Sequence, residues 1–254
     1  MSSSSSSHHS ENNVWFGVAM VLIGIIVGYV FAMASGRGFG MNVQVPNAPS
    51  APTDVPAAVG ESAAAKMTRI AAEIGLDPDD FKTCVDSGKF RQTVLDQQAG
   101  GSSAGVDGTP GNILYNMKTK AAWLISGARP ITSFQTALDD MIKDPNGKPS
   151  DASITVVTNV VPVDIAKDHV RGNTKSDIAL IEYSDYECPF CQRVHPTLQQ
   201  LMSDNTDKLM WVHRQFPLPP NMHPNAQLIA EGSECIAQAG GNEAFWKFTD
   251  KMYE

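Results

Sequence analysis

Cys188-Pro189-Phe190-Cys191 stands at the junction of two patterns of different period. Before it, Ile178 to Tyr183 is a nearly continuous apolar run, interrupted by Glu182, as for a strand buried on both faces. After it, Val194, Leu198, Leu201 and Met202 recur at helical spacing. A buried strand that turns directly into an amphipathic helix needs cover on both sides, which points to an α/β architecture. Pro189 suits the first helical turn, where its missing N–H loses no partner. The helix N-terminus offers unpaired N–H groups and the positive end of a dipole, and both stabilise a thiolate on Cys188. Cys191 lies one turn further in and is expected to be less accessible. The pair can then cycle between dithiol and disulfide through a mixed disulfide on Cys188. Zinc is the alternative, because Cys188, Cys191 and His195 have ligand-like spacing. No second CxxC or histidine cluster supplies the missing ligands, so neither a metal nor another cofactor is expected.

Two blocks flank a connector. In residues 62–142, Met67, Ile70, Ala71 and Ile74 mark a helix that Gly75 ends. Asp77-Pro78-Asp79-Asp80 is a helix start, with Asp77 as N-cap and Pro78 in the first turn. Short helices with Phe81, Cys84 and Val85, and then with Phe90 and Val94, follow. Gly100 to Gly108 reads as a loop leading into Thr109-Pro110. Ile113 to Tyr115 and Ala122 to Ile125 read as a hairpin, and Phe134, Leu138, Met141 and Ile142 mark one more helix. Residues 143–167 are the connector, in which Ile154 to Val163 is β-branched and suits an edge strand or an extended arm. Residues 168–254 hold the CxxC, a second strand from Leu209 to Phe216, and helices after His223-Pro224-Asn225 and around Phe245 and Trp246.

The N-terminus has a different character. Residues 1–13 are a serine-rich tail expected to be disordered. Val14 to Ala34 is a run of 21 residues without a charge, long enough to cross a bilayer as a helix. Ala32-Met33-Ala34 resembles a signal-peptidase site. The tail lacks Lys and Arg, however, and the apolar stretch exceeds a usual signal core, so an uncleaved single-pass anchor is the preferred reading. Residues 35–61 carry four prolines and four glycines and read as a flexible linker. A net charge of −8 argues against a nucleic-acid partner.

The stretch Ile181-Glu182-Tyr183-Ser184-Asp185-Tyr186-Glu187-Cys188-Pro189-Phe190-Cys191 resembles the active-site segment of the DsbA-like branch of the thioredoxin superfamily. Arg214-Gln215-Phe216-Pro217-Leu218, His223-Pro224-Asn225-Ala226, Glu234-Cys235 and Phe245-Trp246 extend the likeness. So do Gly75-Leu76-Asp77, Gly105-Val106-Asp107-Gly108-Thr109-Pro110 and Ile125-Ser126-Gly127-Ala128-Arg129-Pro130. The resemblance implies a thioredoxin fold with a helical insertion. It makes Pro110 a cis-proline facing the CxxC, with Thr109 shaping the contact with a peptide substrate. It makes Glu182 a buried acid that relays the proton of Cys191, and it offers Cys84 and Cys235 as a structural disulfide pair. An ordinary ion-paired glutamate and buried free cysteines are the plainer alternatives.

The family places its CxxC half first and its cis-proline half last, whereas here residues 62–142 precede residues 168–254. The order implies one circularly permuted domain joined by the connector; the rival is two incomplete domains that complete each other between chains. The expected activity is thiol-disulfide exchange by a membrane-anchored, extracytoplasmic domain, oxidising cysteine pairs of exported proteins and reoxidised by a membrane redox partner. A tethered, non-catalytic module that binds partner or unfolded proteins is the alternative.

Overall fold

The protein is described by a computed structural model over residues 60–254. The serine-rich tail, the apolar run Val14 to Ala34 and the linker up to Val59 lie outside the described residues. No helix among the described residues is long and apolar enough to cross a membrane.

Three helices come first: α1 (Ala63–Glu73), α2 (Pro78–Ser87) and α3 (Arg91–Ser103). The Asp77 side chain accepts from the N–H groups of Asp79 and Asp80, both at 2.9 Å, and so caps α2. Strands β1 (Gly111–Asn116) and β2 (Ala122–Ser126) form the hairpin, and α4 (Ile131–Lys143) follows. The connector contributes β3 (Thr155–Val156). Then come β4 (His169–Gly172), β5 (Ile178–Ser184), α5 (Pro189–Asp204), β6 (Met210–Gln215) and α6 (Ala226–Tyr253), the last kinked at Gly241. The six strands lie in the order β3-β2-β1-β5-β6-β4. β5 and β6 are parallel and joined by α5, while β1 runs antiparallel to β5. One sheet therefore contains strands from both sides of the connector, and its centre is the β1–β5 pair.

Each face of the sheet has its own cover. Leu114, Ile125, Leu180 and Trp211 on one face pack with Phe134 and Leu138 of α4, Val194 and Leu198 of α5, and Phe245 and Trp246 of α6. Ile113, Ala179, Ile181, Tyr183 and Val212 on the other face pack beneath Ala104, Val106 and the connector residues Val157, Val160 and Val163. The connector is thus a strap across the second face rather than a loose joint. Arg214 fixes it. Its guanidinium donates to Val161 O at 2.8 Å and to Pro162 O at 3.0 Å, and makes a two-pronged pair with Asp168 at 2.9 and 3.0 Å. A third cluster joins α1, α2 and the first part of α6, through Met67, Ile70, Phe81, Ile229 and Ile236, to Cys188 and Cys191.

One local reading of the sequence is corrected. Gly100 and Gly101 are not loop residues but the last turn of α3, which runs to Ser103. Glycine is needed there for close approach, since a Cβ on Gly101 would lie 2.7 Å from the Tyr183 ring and 2.9 Å from that of Phe216. The β-branched stretch Ile154 to Val163 serves in both expected ways: β3 is a two-residue edge strand, and the rest is an arm without strand pairing. Beyond Val156 the arm's side chains cover the sheet face.

Candidate functional site

Cys188 is the N-cap residue of α5, with extended φ and ψ of −77° and 118° and no side-chain capping bond of its own. The N–H groups of Phe190 and Cys191 in the first turn favour its charged form. Thr109 reaches it from the loop before β1. The Thr109–Pro110 peptide bond is cis, and Cys188 Sγ donates to Thr109 O at 3.4 Å. Thr109 Oγ1 is buried and has no partner among the neutral groups around it. The Thr109 side chain favours the charged form of Cys188.

The electrostatics of the two thiols are opposite. Cys188 is held down to about 5, first by the Cys191 thiol, then against the cost of burial by Thr109 and the N–H groups of Cys191 and Phe190. Cys191 is pushed far up, chiefly by burial, and further by Cys188 and the nearby Glu182 carboxylate. Cys188 is 3% exposed and Cys191 0%. The order of access follows the helical register, but even the outer sulfur is nearly covered. Phe190 between them is 50% exposed and forms an apolar knob beside the pair.

Glu182 lies in the central strand β5, wholly buried. Its carboxylate accepts from the Ser184 hydroxyl at 2.8 Å and from the Trp211 indole N–H at 3.0 Å. Burial dominates and raises its pKa, while charge on His195 and the two donors pull it back. Neither an edge position nor an ion pair with Lys or Arg describes it. The strand register extends this polarity sideways: Asn112 in β1, Glu182 in β5, His213 in β6 and His169 in β4 are successive cross-strand neighbours. His213 Nδ1 is 3.9 Å from the Glu182 carboxylate, and burial drives its pKa to about 3, so it is neutral beside that acid. His169 closes the row on Glu234 at 2.9 Å.

Acids flanking the CxxC hold the surrounding loops. Asp185 accepts from Leu218 N–H and pairs with His223 Nδ1, both at 2.7 Å. Glu187 accepts from the Asn225 N–H at 2.6 Å and its side-chain amide at 2.8 Å. These contacts tie the segment before α6 to the start of α5. Their signal in the sequence is two acids within three positions of Cys188 and a His-Pro-Asn beyond the next strand, a pattern that assigns them no role by itself. Ser184, Trp211, His213 and Tyr253 were missed because only the strand register and the end of α6 bring them to Glu182. Cys84 and Cys235 form a disulfide that ties α2 to α6. Among the described residues no cluster of His, Cys, Asp or Glu has the makings of a metal site.

The thioredoxin family model matches residues 165–254, a stretch that runs from before β4 to the last residue and contains both Cys188 and Cys191. The fold is thioredoxin-like. Curated relatives are named as transporters. The Na(+)/H(+) antiporter NhaA 3 of Salinispora tropica is 39% identical over 101 residues, which are 40% of this chain and 15% of the antiporter. The Na(+)/H(+) antiporter NhaA 1 of Mycolicibacterium gilvum is 39% identical over 92 residues, 36% of this chain and 14% of the antiporter. The Na(+)/H(+) antiporter NhaA of Herminiimonas arsenicoxydans is 33% identical over 92 residues, again 36% and 14%. The chain thus matches only about one seventh of these proteins' length.

Proposed function

We propose that this protein is a thiol-disulfide oxidoreductase acting through Cys188 and Cys191. The observation that carries the reading is the placement of Cys188 at the start of α5, against Thr109 O and the cis Thr109–Pro110 bond, with a depressed pKa while Cys191 behind it is raised. A thiolate that forms below neutral pH is a ready nucleophile and a good leaving group, and the second thiol one turn away closes the disulfide again when the pair is reoxidised. A low thiol pKa stabilises the dithiol form, which favours oxidation of a substrate's cysteine pair over reduction of its disulfide. Thr109 and Pro110 receive the substrate backbone, Pro189 and Phe190 shape the approach, and Glu182 relays the proton of Cys191.

The same reading makes the domain DsbA-like and circularly permuted. It is supported by the pairing of β1 with β5 in one sheet, by the strap over residues 143–167, and by the packing of α1 on the end of α6, where Lys66 Nζ donates to Met252 O at 3.1 Å. With Val14 to Ala34 as a single-pass anchor, the domain works outside the cytoplasm on exported proteins, and a membrane redox partner reoxidises it. The antiporter names of the relatives fit a redox domain that occurs attached to membrane proteins.

Two measurements on the full chain test this. Alkylation of Cys188 followed by mass spectrometry is expected to reach half its maximal rate near pH 5; a midpoint in the ordinary thiol range of about 8–9 sinks the catalytic reading. Equilibration with glutathione buffers gives the potential of the pair, and a value well below the poise of an oxidising compartment excludes the oxidase direction.

A further inference from the structure

Phe190 and Arg193 stand three residues apart in the first turns of α5, so their side chains lie on one side of the helix. Both are exposed, and the Arg193 guanidinium sits over the Phe190 ring, 5.1 Å from its centroid. An aromatic face holds a guanidinium flat and leaves its N–H fork open at the edge. Arg69, Arg129, Arg171 and Arg214 each hold a carboxylate; among the described residues Arg193 holds none. The next ionisable side chain of α5, His195, is buried against Asp250 at 2.8 Å, so Arg193 is the charge that this end of the helix presents. The other charges about Cys188 are acidic. Glu187 precedes it and accepts from the neutral N–H and side-chain amide of Asn225, which leave its charge in place. Asp107 is exposed in the loop that ends at Thr109, whose carbonyl meets the Cys188 sulfur. Cys188 thus has an arginine over its apolar knob, and acids on the segment before it and on the loop across from it.

We propose that Arg193, stacked on Phe190, determines specificity: it selects substrate segments that carry a carboxylate beside the reacting cysteine, on the side that meets α5. The inference rests on the oxidoreductase reading and deepens it by naming the class of substrate. A peptide that brings its cysteine to Cys188 passes the Phe190 ring, which packs on an apolar neighbour. The open edge of the guanidinium then takes a carboxylate through two parallel N–H···O bonds. A lysine at the same place meets like charge. On the other side of the cysteine the preference reverses, because Glu187 and Asp107 repel a carboxylate there. Rejection of the wrong charge contributes to the selection as much as attraction of the right one. The discrimination is made during docking, outside the sulfur chemistry, so it weakens with salt as rim charges do.

The test uses the full chain with Cys188 and Cys191 reduced, and four peptides whose single cysteine is capped as a mixed disulfide with an aromatic thiol. Glu or Lys stands either directly before or directly after that cysteine. The Cys188 thiolate attacks the peptide sulfur, the bond from that sulfur to the aryl sulfur breaks, and the aryl thiolate leaves as a coloured ion that reports the rate. Each rate is divided by that of 2-mercaptoethanol with the same peptide, which removes the peptide's own reactivity. At low salt, Glu is expected to exceed Lys about threefold at one of the two positions and not at the other. That preference should fade at about 0.5 M salt, where charges reach only roughly 4 Å. It should vanish in Arg193→Gln and invert in Arg193→Glu. Glu exceeding Lys at neither position, or at both, overturns the proposal, as does a preference that survives in Arg193→Glu. A parent chain that reacts with all four peptides no faster than 2-mercaptoethanol is a different failure, and it removes the oxidoreductase reading itself.

Discussion

At the scale of single residues, the site depends on which form of each ionisable group its neighbours favour. Thr109 Oγ1 is buried without a partner, and the Thr109 side chain favours the charged form of Cys188. Hydrogen bonds to a charged group are worth about 1.5–3 kcal/mol, so Thr109→Val, which removes the hydroxyl at constant shape, is expected to raise the Cys188 midpoint by about one unit. The ultraviolet absorbance of the thiolate as a function of pH measures it. Glu182 shows the opposite case. Its folded carboxyl keeps its proton at pH values where the unfolded carboxyl has lost it, so stability falls as pH rises across that interval and stays low above it. Glu182→Gln removes this cost. By calorimetry the variant should melt higher than the parent at pH 7, with the gap closing below about pH 4; a variant that melts lower at pH 7 contradicts the account. The cysteine pair and Glu182 were legible in sequence because each interrupts a strong pattern. Ser184, His213 and Tyr253 were not, because their relation to Glu182 depends on strand register and on a contact 69 positions away in the chain.

At the scale of elements, the strap is the least expected feature. Its valines were visible as β-branched residues, but a β-branched run suits a sheet edge and a sheet face equally well. What decides between them is Arg214, which lies in a buried strand about 50 positions later and hydrogen-bonds the strap's own carbonyls. Strand β4 was missed for a related reason: four residues containing His169, Arg171 and Gly172 carry no strand signal until β6 and Asn242 supply their partners. Arg214 and Asp168 are both largely buried, so removing one partner leaves the other charged and unpaired. Arg214→Met is expected to cost about 3–5 kcal/mol and to lower the melting temperature on the order of 10 °C. Adding Asp168→Leu should recover much of that loss, and hydrogen exchange should show residues 157–163 opening first in the single variant.

At the scale of the whole molecule, strands and helices from before and after the connector share one sheet and one core, so neither part has a complete core alone. The likeness visible in sequence covered both parts, while their assembly rested on long-range pairs such as β1 with β5 that no local pattern carries. The Cys84–Cys235 disulfide closes a loop of 151 positions, and by chain entropy it constrains the unfolded state by about 5 kcal/mol. The double variant Cys84→Ala, Cys235→Ala should lose much of that in denaturant unfolding, without change in the thiolate titration of Cys188. A shifted titration would mean that the bond also shapes the site.

That disulfide joins α2 in the first part of the chain to α6 in the last, while the segment after Lys143 is exposed and bears no strand of the sheet's centre. Continuity of the backbone at that point is therefore dispensable to the folded object. A single cut after Lys143 should leave two polypeptides that migrate together until a reductant is added. The same two pieces, expressed as separate genes in an oxidising compartment, should find each other and reconstitute the dithiol centre, making the domain a natural split protein.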